Sequence, residues 1–301
     1  MKKINYIKAA VCFLFTMGVM VAASNTAKAQ LTGLQSSYFD NQYLTNPAMA
    51  GYNKGVILNL GYQTQWTTIP GSPKLQDGSI DFNANDNVGI GALLNADQTG
   101  LISRTRAMGT FAYHLPITET GKLHFGVSFG VNDTYIDYSK INGDQTDVSV
   151  AAFNQRRTYL DGDLGIAYTD GAWNLQAAVP NLGSVVFNTD GSNLNVDRAT
   201  FFTAASYKFN LTEGGMSIEP KAVFRGIKGF TNIVDAGANF AAPDYHFNIF
   251  AMYHTNQSAT AGAGIDIDNV RVLFSYTNNT GSLRSYANNT FEFGLRVNFH
   301  K

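Results

Sequence analysis

The chain has 301 residues, 14% of them charged and 13% aromatic, with 29 Gly, 15 Tyr and a formal net charge of −1. So small a charge gives no electrostatic case for a nucleic-acid partner, and the charged fraction is well below the roughly 25% usual in soluble domains. Beyond the N-terminus no stretch approaches the roughly 18 apolar residues of a membrane-spanning helix. A membrane β-barrel reconciles these facts, because every second residue faces lipid and the others face water.

At the N-terminus, Lys2, Lys3 and Lys8 precede an apolar run over 9–23, and Ala27-Lys28-Ala29 forms a small-x-small cleavage site. Residues 1–29 therefore read as a signal peptide, leaving Gln30 as the first mature residue. The competing reading is a retained transmembrane anchor; the polar step Ser24-Asn25-Thr26 into a small-residue site favours cleavage. Cys12 falls inside the removed segment and has no lipobox context. The mature chain is thus expected to hold no disulfide, thiolate nucleophile or cysteine-ligated metal. Residues 30–53 form an N-terminal periplasmic or lumenal segment, and 54–301 the barrel.

Alternation over eight or more residues marks about fourteen strands, with twelve as the alternative, in an all-β antiparallel up-and-down transmembrane barrel. The clearest sets Leu123, Phe125, Val127, Phe129 and Val131 outward, with His124, Gly126, Ser128, Gly130 and Asn132 inward. Others place Val56 to Tyr62, Ala107 to Leu115, Tyr245 to Tyr253 and Val270 to Tyr276 outward at every second residue. Weaker strands surround Phe82, Ile166, Met216 and Val234, where Gly or Pro220 interrupts the pattern. A soluble β-sandwich with an aromatic core is the alternative architecture.

Turn chemistry divides the connections into two kinds. Short ones are expected at Asn85-Asp86, 116–121, Asp170-Gly171, 211–215, 241–244 and Asp268-Asn269, several with the Asx-Gly or Pro chemistry of tight turns. Long ones are expected at 64–75, 132–157, 181–196 and 277–288, with short exceptions near Gly229 and Asn256. Short turns inside and long loops outside suit an outer-membrane barrel with both termini periplasmic. Trp66 and Trp173 share the parity of outward residues near strand ends, where headgroups favour aromatic rings.

Inward charges (Asp81, Arg106, Glu219, Lys221, Arg225, Asp235, Asp266, Arg271, Glu292 and Arg296) read as a mixed-charge lumen. His114 and His124 flank one short turn and point inward, so they are expected to be cross-strand neighbours. Two imidazoles on one face can bind a metal, but no third ligand has clear spacing. His246 and His254 are eight residues apart on one inward face, too far for a shared ion at about 3.4 Å per residue. No nucleophile elbow, phosphate loop or metalloprotease helix is present, so no catalytic residue, metal or cofactor is assigned.

The chain closes on Phe291-Glu292-Phe293-Gly294-Leu295-Arg296-Val297-Asn298-Phe299, which alternates throughout and is expected to pair with Val56 to Tyr62. Glu292, Gly294, Val297 and Phe299 resemble the C-terminal sorting signal of outer-membrane barrels, with His300-Lys301 as an extra tail.

Two further runs stand out: Asn46-Pro47-Ala48-Met49-Ala50-Gly51 before the first strand, and Gln65-Trp66 leading to Pro70-Gly71-Ser72-Pro73-Lys74 after it. Taken alone, their Pro and Gly residues set turns. Together they resemble the PorP/SprF family of type IX secretion system membrane proteins from Bacteroidetes. Ser103-Arg104-Thr105, 136–140 and Val179-Pro180-Asn181-Leu182 resemble later motifs of that family, in its order. Gln63-Thr64 departs from it, since members often carry a basic residue before Gln-Trp.

The resemblance implies an outer-membrane barrel in contact with lipid that supports secretion or surface anchoring of a partner. That partner would be a periplasmic type IX component, or the C-terminal domain of a secreted adhesin such as one used in gliding. Asn46, Pro47, Ala48, Gly51, Gln65, Trp66, Pro70, Gly71, Pro73 and Lys74 are the partner-binding candidates it suggests. A passive porin or small-solute channel is the alternative, and a lumenal lipid-modifying enzyme a third reading supported only by scattered polar residues. Little conductance is expected, because 31–53 could fold into or across the lumen.

Overall fold

Along the strand Gly121–Ile136, side chains alternate between two surroundings. Phe125, Val127, Phe129 and Val131 are exposed, Phe129 by 63%, whereas His124, Ser128 and Asn132 are buried, His124 to 1%. Apolar residues outside and polar residues inside invert the order of a water-soluble protein.

The computed structural model describes residues 38–67, 70–141, 148–155, 158–183, 200–212, 215–227, 232–279 and 289–299. The expected signal peptide, Cys12 and most of the 181–196 and 277–288 loops lie outside the described residues.

Fourteen strands follow one another around a closed barrel. The first seven are β1 (Val56–Gln65), β2 (Lys74–Asn85), β3 (Val88–Thr99), β4 (Ile102–Pro116), β5 (Gly121–Ile136), β6 (Thr158–Asp170) and β7 (Trp173–Val179). Next, β8 (Thr200–Tyr207) continues after Lys208 as Phe209–Asn210. The rest are β9 (Ser217–Ile227), β10 (Ile233–Ala242), β11 (Phe247–His254), β12 (Ser258–Ile267), β13 (Val270–Asn279) and β14 (Thr290–Asn298). Each pairs antiparallel with its neighbours, and β14 closes on β1 from Ile57↔Asn298 to Gln65↔Thr290, the pairing expected for the terminal strand. No helix among the described residues is long and apolar enough to cross a membrane.

The interruption of β8 has a cause in the next strand. Pro220 of β9 has no N–H to give, and the β8–β9 ladder breaks between Ile218↔Phe209 and Lys221↔Ser206. Lys208 instead donates to Ala172 on the other side at 2.8 Å.

The short turns expected at Asn85-Asp86, 116–121, Asp170-Gly171, 241–244 and Asp268-Asn269 are present, the last with Asp268 in a left-handed conformation. Residues 213–214 of the 211–215 turn and 228–231 around Gly229 lie outside the described residues. At the opposite end β5 runs on to Ile136, so its loop begins later than the alternation suggested and holds a 3-10 turn, Tyr138–Lys140, and the helix Val148–Asn154. That helix is tied down by Asn154, whose side-chain amide pairs with both the N–H (2.8 Å) and C=O (3.0 Å) of Ile136.

The β3–β4 connection, Gly100-Leu101, is a tight turn; Gly100 has φ +59 and its N–H bonds to Gly71 at 3.0 Å. One expectation needs correction. Tyr245 and His246 were read as strand residues, His246 inward. Instead Pro243–Tyr245 is a 3-10 turn, His246 is exposed at φ 57, and β11 starts at Phe247. Proline at the first position favours that turn, and the left-handed residue ends it.

Candidate functional site in the barrel lumen

Residues 38–51 lie inside the barrel and cross it. Asn46 begins the 3-10 turn Pro47–Met49: its Oδ1 accepts from the Ala48 N–H at 3.0 Å, satisfying an orphan donor of the turn. Its Nδ2 donates to the Ile166 carbonyl and to Gln176 Oε1, both at 3.2 Å. An aspartate in that place could make the cap but not the wall contacts. Ala48 and Ala50 have no exposed surface.

The wall is thinned to receive this turn. A Cβ on Gly126 would stand 2.2 Å from the Ala48 nitrogen, and one on Gly89 would stand 1.9 Å from the Ala50 oxygen. Gly51 ends the motif at φ +67, and its N–H donates to Asp81 Oδ2 at 2.8 Å. A side chain there would meet both the strained φ and the Gly89 backbone, at 2.5 Å.

The preceding residues are anchored to strands all round. Tyr38 donates to Asp235 Oδ2 at 2.7 Å, and Lys221 donates to the Tyr38 carbonyl while lying 5.0 Å over the Phe39 ring. Asp40 accepts from Arg271 at 2.7 Å, and its carbonyl accepts from Arg296 at 2.8 Å. Asn41 reaches Ser79, Gln42 reaches Asn174 and Gln176, and Tyr43 donates to Thr110 Oγ1 at 2.7 Å. Burial pushes the Tyr38 and Tyr43 phenols above the usual tyrosine range, so both remain neutral donors.

Apolar residues at inward positions complete the fit. Leu93, Met108, Ala112 and Ala167 pack on Tyr43, Ala48, Met49 and Ala50, while Val223, Phe250 and Met252 pack with Tyr38 and Phe39. Burying a side chain such as Met49 contributes roughly 1.5–3 kcal/mol. The core of this barrel is therefore in its lumen.

His114 and His124 are register partners, as their spacing predicted, with Nδ1 atoms 2.7 Å apart. Two nitrogens on one zinc at about 2.0–2.1 Å each would stand farther apart than that, so the contact is a hydrogen bond. Its direction follows from the ends of the chain. The Ala50 carbonyl, 3.1 Å from His114 Nε2, can only accept. His114 Nδ1 must then accept from His124, and His124 Nε2 accepts from the Thr169 hydroxyl at 2.8 Å.

Asp235, His254 and Thr260 stand in the order of a hydrolase triad, with contacts of 2.7 and 2.8 Å. Asp235 also accepts from Tyr38 and from Arg225 at 2.8 and 2.9 Å, and Thr260 Oγ1 lies 2.7 Å from Thr277 Oγ1. Neither the His254 nor the Asp235 side chain has solvent exposure. The set is sealed under Tyr38 and clamps it.

The second sequence run lies at the long-loop rim. Gln65 points inward and donates to Gln63 Oε1 at 2.6 Å. Trp66 leaves β1 at φ 52 and donates its N–H to the Asn289 carbonyl at 3.1 Å. Pro73 is buried and accepts from the Gln65 N–H at 2.9 Å, whereas Pro70, Gly71 and Lys74 are exposed. Thr68 and Ile69 are outside the described residues. The structure thus separates the ten candidates into a lumenal group, Asn46 to Gly51, and a rim group, Gln65 to Lys74.

The later motifs join that rim. Ser103-Arg104-Thr105 begins β4, 136–140 ends β5, and 179–182 ends β7, where Asn181 donates its N–H to Asp163 Oδ1 at 2.9 Å. Hydrogen bonds from Ser139 hold the half-buried Asp137 carboxyl below its usual range. Between rim and plug lies a cavity of about 180 Å³, floored by Tyr43, Leu44 and Pro47 and walled by Arg106, Asp163 and Arg225.

A closed barrel with an apolar outer face and a filled lumen defines a membrane-embedded β-barrel of the outer-membrane kind. The chain belongs to the family described as Type IX secretion system membrane protein PorP/SprF, which matches residues 27–297. Its fold is similar to the Ralstonia pickettii toluene transporter TbuX, at TM-score 0.52 and 12% identity over 85% of this chain and 93% of that one. A FadL homologue from Pseudomonas aeruginosa matches at TM-score 0.49 and 10% identity, covering 88% of this chain and 94% of that one. No curated protein sequence matches the chain.

Proposed function

We propose that this barrel is a non-enzymatic outer-membrane component of type IX secretion that holds a partner protein at its rim. The observation that carries this reading is the crossing of the lumen by residues 38–51, bonded to strands from β2 round to β14. A barrel so filled offers surfaces to a partner better than a path to a solute, which disfavours the passive porin.

In this reading the lumenal motif builds the plug, and Trp66, Pro70, Gly71 and Lys74 face the partner. The outer wall is in contact with outer-membrane lipid and both termini are periplasmic. The partner is the C-terminal domain of a secreted adhesin, or a periplasmic secretion component reached from the short-turn end. Deleting the gene should strand one surface protein inside the cell. Normal display of every surface protein in the deletion strain would refute the proposal.

A further inference from the structure

On the outer wall, strands β4 to β8 enclose an apolar groove of about 520 Å³. Phe111 and Phe125 bank it on one side and Phe201 on the other, all three exposed. Between them lie Ile166 of β6 and its register partner Ala177 of β7, where the outward side chain shrinks to a methyl. None of the twelve described residues that line the groove is charged. Three inward positions also reach it: Gly126, Gly165 and Ala178, which stand in one row across β5, β6 and β7. The same row seats the plug from inside. A Cβ on Gly165 would stand 2.0 Å from Asn46 Oδ1, as one on Gly126 would stand 2.2 Å from the Ala48 nitrogen, and Asn46 hangs from the Ile166 carbonyl at 3.2 Å. Groove and plug thus lie on opposite faces of a single layer of backbone.

An apolar hollow on a membrane-embedded wall draws its occupant from the membrane. Twelve residues are too few for a second barrel or a protein partner, since a stable protein interface needs about 20–30 residues a side. At about 30 Å³ for a water-sized group, the hollow has room for roughly 17 of them, which is the size of one hydrocarbon chain. Such a chain gains from every methylene it buries and asks for no polar contact. We propose that the groove binds one fatty-acyl chain of a membrane phospholipid, held back to back with the Asn46–Ala48 turn. Phe111, Phe125 and Phe201 grip its flanks, and the small Ala177 leaves the depth for it. With no charge in the lining, the groove selects the chain and not the headgroup. The site rests on the wall lying in lipid and is independent of the anchoring role.

The experiment uses the mature full chain in mild detergent with a phosphatidylethanolamine that carries a photoactivatable diazirine in its acyl chain. Irradiation should place adducts on Ile166 and Ala177 far more than on the outward residues of β12. Native mass spectrometry should show a single phospholipid retained by the wild-type barrel. Ala177→Phe, which fills the groove, should lose it. Ala261→Phe, an equal enlargement at an exposed position of β12, should keep it. Should Ala177→Phe fail to fold, the adduct map of the wild type decides alone. Adducts spread evenly around the wall overturn the proposal by showing annular lipid only, as does equal retention in the two variants. Crosslinks that join two barrels through Ile166 and Ala177 also overturn it, by putting a second copy in the chain's place.

Discussion

His114 on β4 and His124 on β5 meet Nδ1 to Nδ1 at 2.7 Å, and through Ala50 this wall contact holds the plug. Because the Ala50 carbonyl fixes the tautomer of the first ring and so of the second, the pair is a directed chain from Thr169 to the plug. Replacing His114 with Phe keeps the ring volume but removes the donor to Ala50. The loss of this buried hydrogen bond should cost about 1–3 kcal/mol in plug retention. The barrel should still assemble, and protease cleavage near residue 50 should accelerate in the variant.

Gly126 offers a sharper way to displace the plug. A side chain there meets the Pro47 and Ala48 backbone at 2.2 Å, which cannot yield as a flexible tip would. Gly126→Val should expel residues 46–51 while leaving the β4–β5–β6 ladder intact. Planar-bilayer recordings should show the wild type silent and the variant conducting. A silent G126V barrel with normal strand content would mean that the lumen is closed by something other than the plug.

Asn46→Asp tests whether the motif residue serves the wall. The cap to Ala48 survives, but the donor to Ile166 and Gln176 is lost and a charge is buried beside two acceptors. Stability should fall by about 2 kcal/mol or more. Asn46→Ala, which loses cap and donor without adding a charge, should fall less. Thermal unfolding followed by gel mobility would rank the two.

The plug should respond to alkali and not to mild acid through its tyrosines. Tyr38 and Tyr43 have folded pKa values raised by burial, so their contribution is fully present below the unfolded value of about 10 and lost as pH rises towards the folded ones. Conductance should therefore appear only above about pH 10. In the Tyr38→Phe, Tyr43→Phe double variant this alkaline step should vanish.

At the rim, Lys74→Glu reverses an exposed charge and Trp66→Ala removes a half-buried ring. Both leave the plug contacts untouched. Crosslinking from this rim to a captured surface protein should decline in both variants, while the amount of barrel in the membrane stays level.

Much of the fold was legible because alternation in a barrel is strict: the outward ladder of β5 and the His114–His124 pairing follow from period 2 alone. The candidate site was legible only in part. Leu93, Met108, Phe250 and Met252 sit at inward parity, where a water-filled lumen would have polar residues, and that mismatch is the signal for a packed plug. The inward glycines at 89, 126 and 165 are a second such signal. Alternation could not show His246, because Pro243 removes it from the strand through local backbone geometry. The Gly100-Leu101 turn was not named from the sequence, although a glycine at φ +59 is what turn chemistry favours there.

The bond between Asp40 and Arg296 has a consequence for how the molecule is made. Residues 38–53 are synthesised before any strand of the wall, and one of their anchors lies on the strand that closes it, 256 residues later. A stopper could be inserted into a finished vessel from one end. Here residue 53 leads directly into β1, and β14 both seals the circle and grips Asp40. The chain must wrap around its own beginning, and that slow, long-range closure makes the N-terminal segment the form on which the wall is wound.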